Sequence, residues 1–105
     1  MRVSSAVWRH VFTRDRGRCQ YCGVDLLRSF SAYWSATVDH LVAVSARGND
    51  KPKNLKLACP ACNAMLSRGA KLKTFAERKA FIKSRQAEEL GGYREWLGEL
   101  RRGPP

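Results

Sequence analysis

Residues 5–16 carry a hydrophobic pattern with the period of an α-helix. The large apolar side chains of this segment recur on one helical face: Val7, Trp8, Val11 and Phe12. This spacing predicts an amphipathic helix. Ser4 or Ser5 is a suitable N-cap, and Gly17 is typical of the position that ends a helix. His10 lies off the apolar stripe, so we predict a structural or solvent-exposed role for it.

The middle of the chain alternates between loop-like and strand-like composition. Residues 24–32 have no clean period, which predicts a loop or a short helical turn. Residues 33–44, "YWSATVDHLVAV", are rich in aromatic and β-branched side chains and predict one or two strands. Residues 45–54, "SARGNDKPKN", are dense in turn-forming residues and predict a surface loop. A short strand is predicted over residues 54–58.

The remainder of the chain predicts helices. Cys59 is a candidate N-cap for a helix that begins at Pro60 and ends near Gly69, because proline is well tolerated at the first helical position. Thr74 and Glu77 have the spacing of a capping box, in which each side chain bonds a backbone N–H group of the other residue. A further helix is therefore predicted to begin directly after Thr74.

This last helix is predicted to end at Gly91-Gly92, with a separate short helix over residues 93–100. Its candidate core side chains are Phe75, Phe81, Ile82 and Leu90. Large aromatic side chains bury much apolar area. We therefore predict that the three tryptophans are core anchors and not base-stacking surfaces: Trp8, Trp34 and Trp96.

Together these elements predict one α+β domain over residues 1–105. It would comprise an N-terminal helix in residues 1–18, a compact core in residues 19–70 and a helical extension in residues 71–105. A chain of this length buries a limited core and is usually marginal without a cross-link. Four cysteines in two C-x2-C pairs are the candidates for that cross-link: Cys19, Cys22, Cys59 and Cys62.

The cysteine spacing is typical of a structural zinc site. Zn²⁺ takes four tetrahedral ligands, and a two-residue spacer lets both sulfurs of a tight turn reach one ion. The N-terminal segment lacks the apolar core of a signal peptide, so we expect a soluble cytoplasmic protein, whose thiols stay reduced. A zinc site is thus favoured over two disulfides, which remain the weaker alternative.

The charge balance favours a polyanionic partner. The chain has 20 Lys and Arg residues against nine acidic ones, for a formal net charge of +11. One Zn²⁺ with four thiolates would contribute −2 and lower this charge to about +9. Such a field attracts nucleic acid first and an anionic membrane second. A basic protein that is merely soluble is the alternative at this level.

One polar segment combines the groups that phosphodiester hydrolysis requires. Asp39 and His40 are adjacent, Asn54 lies 14 positions after His40, and Asn63 lies nine positions after Asn54. Neutral His40 can accept a proton from the attacking water. Asp39 and Asn63 offer oxygen ligands of the kind that Mg²⁺ prefers, and Asn54 can hold the loop through its amide. Strand neighbours point to opposite faces, so Asp39 and His40 share a site only where the strand ends or bulges.

His40, Asn54 and Asn63, with Asp39 before the histidine and C-x2-C pairs around them, resemble the HNH endonucleases in their H-N-N variant. The runs "RDRGRCQYCG" and "NLKLACPACN" are similar to the same family, and the resemblance covers approximately residues 9–70. It implies a ββα-metal fold flanked by helices, and DNA cleavage that leaves 5′-phosphate and 3′-hydroxyl ends. It also implies that His40 is the general base, that Asp39 and Asn63 bind catalytic Mg²⁺ or Mn²⁺, and that Asn54 organises the loop.

Basic residues near this segment are candidates for DNA contact: Lys51, Lys53, Lys56, Arg68 and Lys71. Many relatives carry a lysine three positions after the residue that matches Asn63, where this chain has Leu66. Arg68 and Lys71 are candidates to supply that charge instead. The resemblance implies a bacterial or phage-encoded protein that acts on DNA in the cytoplasm, without a membrane partner. Two alternatives stay open: a non-catalytic zinc module that binds nucleic acid, and a zinc-stapled adaptor that binds protein.

Overall fold

The computed structural model describes residues 3–68 and 71–104. Four helices and two strands form this part of the chain, in the order α1 (Ser5–Arg14), α2 (Phe30–Ser35), β1 (Thr37–His40), β2 (Leu55–Ala58), α3 (Pro60–Arg68) and α4 (Phe75–Arg102). Short 3₁₀ turns at Val44–Ala46 and Pro52–Asn54 lie in the loop between the strands. The order β1, β2, α3 with helices on either side confirms the predicted α+β class and is consistent with a ββα-metal fold.

The two strands form an antiparallel sheet with a simple register. Thr37 lies opposite Ala58, and His40 lies opposite Leu55. The alternation of side chains sends Leu55 and Leu57 into the core, where both are fully buried. The same core contains apolar side chains from α1, the first cysteine loop, α3 and α4: Val11, Leu26, Leu66 and Ile82. The strand pair is therefore the layer on which the helices pack.

Helix α1 begins at Ser5 as predicted and ends at Arg14, two residues before the end of the predicted segment. Charged groups at this end fix the helix to β2. The Ser4 hydroxyl accepts a hydrogen bond from the Val7 N–H, as an N-cap does. At the other end, the Asp15 carboxylate accepts from the Leu57 N–H at 2.8 Å. The Arg14 guanidinium donates to the Leu55 carbonyl at 2.6 Å, and its hydrogen bond to Asp15 raises the pKa of Arg14. These bonds satisfy polar groups of β2 that the sheet leaves open.

The strand prediction over residues 33–44 was too long. Tyr33 and Trp34 belong to α2, because the Ser29 hydroxyl caps this helix by accepting from the Ala32 N–H at 3.0 Å. The sheet begins only at Thr37. The prediction that Trp34 is a core anchor was also wrong, since Trp34 is 76% exposed. Trp8, in contrast, is partly buried and packs against the core.

The predicted break at Gly91-Gly92 was wrong, because α4 runs without interruption for 28 residues. The predicted capping box at Thr74 and Glu77 is present and starts this helix. Within the described residues, Ile82 is the last fully buried position of α4. Leu90 is 43% exposed and Trp96 is 58% exposed, so neither anchors the core as predicted. No helix among the described residues is both long and apolar enough to cross a membrane.

Candidate functional site

Two local structures bring the four cysteines together. Cys19 and Cys22 lie in a tight turn closed by a hydrogen bond from the Gly23 N–H to the Cys19 carbonyl at 2.9 Å. Gly23 has a φ of +81°, which glycine adopts without a steric penalty. Cys59 and Cys62 lie at the start of α3, where the Cys62 N–H donates to the Cys59 sulfur at 3.4 Å. The turn and the helix end thus present their sulfurs to each other.

The sulfur geometry fits a zinc ion. The four Sγ atoms lie within 4.8 Å of one another, and those of Cys22 and Cys59 are 3.8 Å apart. Tetrahedral thiolates at about 2.3 Å from Zn²⁺ would be about 3.8 Å from each other. All four cysteines are free thiols in the structure, and the two C-x2-C pairs share one cluster. They form a metal site whose sulfur donors suit zinc.

Burial and hydrogen bonds between the sulfurs shift the pKa values of these cysteines. Hydrogen bonds from Cys59 and Cys62 lower the pKa of Cys19, whereas burial raises the pKa of Cys22 to about 11. The hydrogen bond with Cys19 is the main cause that raises the pKa of Cys62. The protein alone therefore does not favour four thiolates at once. A bound divalent cation would supply the positive charge that four thiolates require.

The metal site also fixes the strands and the start of α3. The Gln20 N–H, between the first two cysteines, donates to the Leu57 carbonyl of β2 at 2.9 Å. Asn63 follows Cys62 directly, and its N–H donates to the Cys59 carbonyl at 3.0 Å. The side chain of Asn63 is therefore held next to the cysteine cluster. Its amide nitrogen donates to the Thr37 hydroxyl of β1, which leaves the amide oxygen as its donor for an ion.

His40 lies at the end of β1 and contacts the loop between the strands. Its Nε2 atom is 2.8 Å from the Asp50 carboxylate, and its side chain is 14% exposed. When the neutral imidazole donates Nε2–H to Asp50, Nδ1 carries the lone pair. That nitrogen is then the proton acceptor of the side chain.

Asp39 is held by two residues that the sequence analysis missed. The Arg78 guanidinium of α4 donates to both carboxylate oxygens, from Nη2 to Oδ1 at 2.5 Å and from Nε to Oδ2 at 2.8 Å. The Tyr21 hydroxyl also donates to Oδ2. Burial, followed by the hydrogen bond to Asp39, raises the pKa of Tyr21, so its phenol stays protonated. Asp39 is 3% exposed and Arg78 is 5% exposed, so this is a buried ion pair.

The side chains proposed for chemistry converge on one cavity. Its volume is about 240 Å³, and Asp39, His40 and Asn63 all line it, together with Arg78 and Ser67. Because β1 ends at His40, two consecutive residues contribute to the same cavity. The residues that line this cavity thus include one with an imidazole, one with a carboxylate and one with an amide.

The oxygen donors of this cavity suit a hard divalent ion. A carboxylate has about four acceptor sites, and Asp39 uses three of them for Arg78 and Tyr21. One acceptor site on Oδ1 and the amide oxygen of Asn63 would thus be available as donors to such an ion. The positive charge of Arg78 would weaken cation binding at this position, because like charges repel.

Asn54 connects the two ends of the loop between the strands. Its side chain donates to the carbonyls of Val42 and Asn49 at 3.0 and 2.8 Å and accepts from the Val42 N–H at 2.9 Å. It is buried, with 9% of its surface exposed. A Cβ atom at Gly48 would lie 1.7 Å from the Val42 carbonyl oxygen, so this close approach requires glycine. These contacts hold the loop that carries Asp50 beside His40.

The candidate DNA contacts differ in their surroundings. Four of them are exposed: Lys51, Lys53, Arg68 and Lys71. Lys56 is half-buried, with its ammonium 4.6 Å from the centre of the Phe75 ring. Leu66, which stands where many relatives have a lysine, is uncharged and fully buried in the core. This position therefore makes no charged contact with a substrate.

The missed contributors are Tyr21, Thr37, Asp50 and Arg78. Arg78 reaches Asp39 across 39 positions of sequence, and no local period signals such a contact. Asp50 carried a weak signal, since it is the only acidic residue in the loop of residues 45–54. Loop carboxylates near a candidate base are worth considering as its orienting partner.

Comparison with known proteins agrees with this geometry. The family model for HNH endonuclease matches residues 19–69. A search of curated protein sequences gave no significant match. The matched segment includes all four cysteines, both strands and α3. The resemblance predicted from the sequence is therefore confirmed: residues 19–69 match the model of the HNH endonuclease family.

Proposed function

We propose that this chain is a metal-dependent endonuclease that hydrolyses DNA phosphodiester bonds. The observation that supports this function is the convergence of His40, Asp39 and Asn63 on one cavity beside the cysteine cluster. HNH domains act on nucleic acid, and the net charge of +11 suits a polyanionic substrate. DNA is therefore the proposed substrate.

In this proposal His40 is the general base. Nδ1 accepts a proton from water while Nε2–H donates to Asp50, whose carboxylate stabilises the imidazolium that forms. The attacking oxygen forms a bond to phosphorus, and the bond to the 3′-oxygen breaks. The products are a 5′-phosphate and a 3′-hydroxyl, and the leaving oxygen takes a proton from solvent.

Asp39 and Asn63 would hold Mg²⁺ or Mn²⁺ through Oδ1 and the amide oxygen. Such an ion supplies positive charge to the phosphoryl oxygens and to the leaving oxygen. Arg78 and Tyr21 orient the Asp39 carboxylate, and Asn54 orients the loop. In the same proposal the four cysteines hold a structural Zn²⁺, and the exposed basic residues near the cavity contact the DNA backbone.

One observation favours a second candidate, a non-catalytic zinc module that binds nucleic acid. Arg78 forms an ion pair with the Asp39 carboxylate, so this carboxylate does not need a metal ion to balance its charge. A module without a catalytic ion would therefore be compatible with this arrangement. The candidate predicts DNA binding without cleavage under any divalent ion.

Nicking of supercoiled plasmid with Mg²⁺ or Mn²⁺ distinguishes the two candidates. We expect the wild-type protein to nick, and His40→Ala to lose about 10²-fold or more of the rate, the usual contribution of a positioned base. His10→Ala is the matched control, because His10 is exposed on α1, and it should retain full activity. Equal nicking by wild type and His40→Ala would remove His40 from the mechanism.

A further inference from the structure

Helix α2 presents two stacked aromatic rings to solvent. Phe30 is 72% exposed and Trp34 is 76% exposed. Their ring centres are 5.7 Å apart, with an angle of 27° between the planes. Exposed apolar surface of this kind commonly marks an interaction site. The helix ends directly before β1, the strand that carries His40.

A cleft of about 690 Å³ lies beside these rings. Its aromatic walls are Trp8, Tyr33 and Trp34, and its polar groups include Thr37 and Asn63. Val38 and Asn63 line both this cleft and the cavity that contains His40. The aromatic cleft therefore adjoins the candidate catalytic cavity.

The chemistry of the cleft suits a nucleotide. Its volume lies within the range of about 300–1,000 Å³ that is typical of small-ligand sites, and aromatic faces stack on nucleic-acid bases. Helix α1 begins at Ser5 on the edge of the cleft, and its first turn has no acidic residue. The positive end of this helix dipole favours a nearby phosphate. The net charge of the chain attracts the same polyanion.

A base in a continuous duplex has both faces covered by its neighbours, so it cannot stack on a protein ring. We propose that the α2 cleft binds an unpaired DNA base next to the scissile phosphate. The preferred substrate is then DNA with single-stranded character at the cleavage position. The position of this base next to the scissile bond rests on the proposed function. The binding of an unpaired base in the cleft does not depend on that function.

Fluorescence anisotropy in a His40→Ala background tests the cleft without cleavage. The probes are a labelled oligothymidine and a duplex of the same length. We expect Trp34→Ala to weaken oligothymidine binding about tenfold or more, as for the loss of one stacked base, and to leave duplex binding unchanged. Trp34→Phe keeps an aromatic face and should retain most of the affinity.

Trp96→Ala is the matched control, because Trp96 is exposed on α4 and does not line the cleft. It should leave both affinities unchanged. Unaltered oligothymidine binding by Trp34→Ala, or an equal loss with Trp96→Ala, would overturn the proposal. Selective loss of oligothymidine binding with Trp34→Ala, together with no plasmid nicking by the wild-type protein that retains His40, would retain the cleft and reject the proposed nuclease.

Discussion

At the scale of single residues, the most informative contact is the buried pair of Asp39 and Arg78. Asp39 lies in the matched family segment and Arg78 lies outside it, on α4. The pair joins the candidate catalytic cavity to a helix that the family match does not include. Both charges are buried away from water. Removal of either partner would leave the other charge buried and unpaired, which would strongly destabilise the fold. Arg78 therefore positions Asp39 and also attaches α4 to the core.

Arg78→Met tests this role. It leaves Asp39 buried without its counter-charge, and we expect the free energy of unfolding to fall by about 3–5 kcal/mol. The melting temperature, measured by circular dichroism, should fall by more than about 10 °C. Arg85→Met is the control on the same helix, because Arg85 pairs with exposed Glu88 and Glu89 and should cost less than about 1 kcal/mol. Similar melting temperatures for both variants would contradict the positioning role.

The sequence predicted correctly those features that depend on neighbouring residues alone, such as helix caps. Ser4 caps α1 and Thr74 caps α4 as predicted, because a cap depends only on the next three residues. The exposure of Trp34 could not be predicted, since its aromatic character fits both a core and a ligand-binding surface. The contact between Asp39 and Arg78 could not be predicted from the sequence either, because it depends on how α4 packs against β1.

At the scale of elements, the cysteine cluster connects a turn, a strand and a helix. The first pair lies in the turn bonded to β2, and the second pair starts α3. Because the core is limited, we expect these elements to depend on a bound metal ion for their mutual position. The cysteine spacing predicts this connection, and in the structure the four sulfurs lie within 4.8 Å of each other.

Zinc removal should therefore unfold the ββα region. Binding of a structural Zn²⁺ contributes roughly 10 kcal/mol or more to folding, so the metal-free chain should lose much of its helical circular dichroism. Adding back Zn²⁺ should restore the signal, whereas Mg²⁺ should not, because thiolates bind soft metals. An unchanged spectrum after complete zinc removal would reject the structural role of the cluster.

Helix α4 shows why a strong local signal misled the sequence analysis. Two consecutive glycines usually interrupt a helix, yet α4 continues through Gly91 and Gly92 to Arg102. Each glycine lowers helix stability by about 1 kcal/mol relative to alanine, and residues on both sides are good helix formers. The flanking segments thus carry the helix across both glycines despite that penalty.

Gly91→Ala and Gly92→Ala should therefore stabilise α4. Among the described residues, no atom other than those of the adjacent residues and of the helix's own backbone lies within 4 Å of a Cβ built at either position, so alanine meets no steric conflict with the rest of the protein. We expect each change to favour the helix by about 0.5–1 kcal/mol, seen as increased helical circular dichroism at elevated temperature. Decreased helicity would indicate that these glycines adopt a non-helical conformation in solution.

At the scale of the whole molecule, three features lie around the candidate catalytic cavity. The cysteine cluster fixes Asn63, the loop of Asn54 holds Asp50 beside His40, and α4 holds Asp39 through Arg78. The aromatic cleft of α2 opens from the same region. The sequence predicted the cysteine ligands and the intervals between the polar residues. It did not predict the α4 contact or the cleft, because both arise from packing between distant segments.

Anomalous diffraction from crystals grown with Zn²⁺ and soaked in Mn²⁺ tests the central claim most directly. We predict one zinc peak surrounded by the four cysteine sulfurs and a separate manganese peak in the cavity, bound by Asp39 and Asn63 and next to His40. The Asp39→Asn variant should lose the manganese peak and keep the zinc peak. Absence of manganese from that cavity in the wild-type crystal, with Asp39 bound only to Arg78 and Tyr21, would contradict a catalytic metal site there.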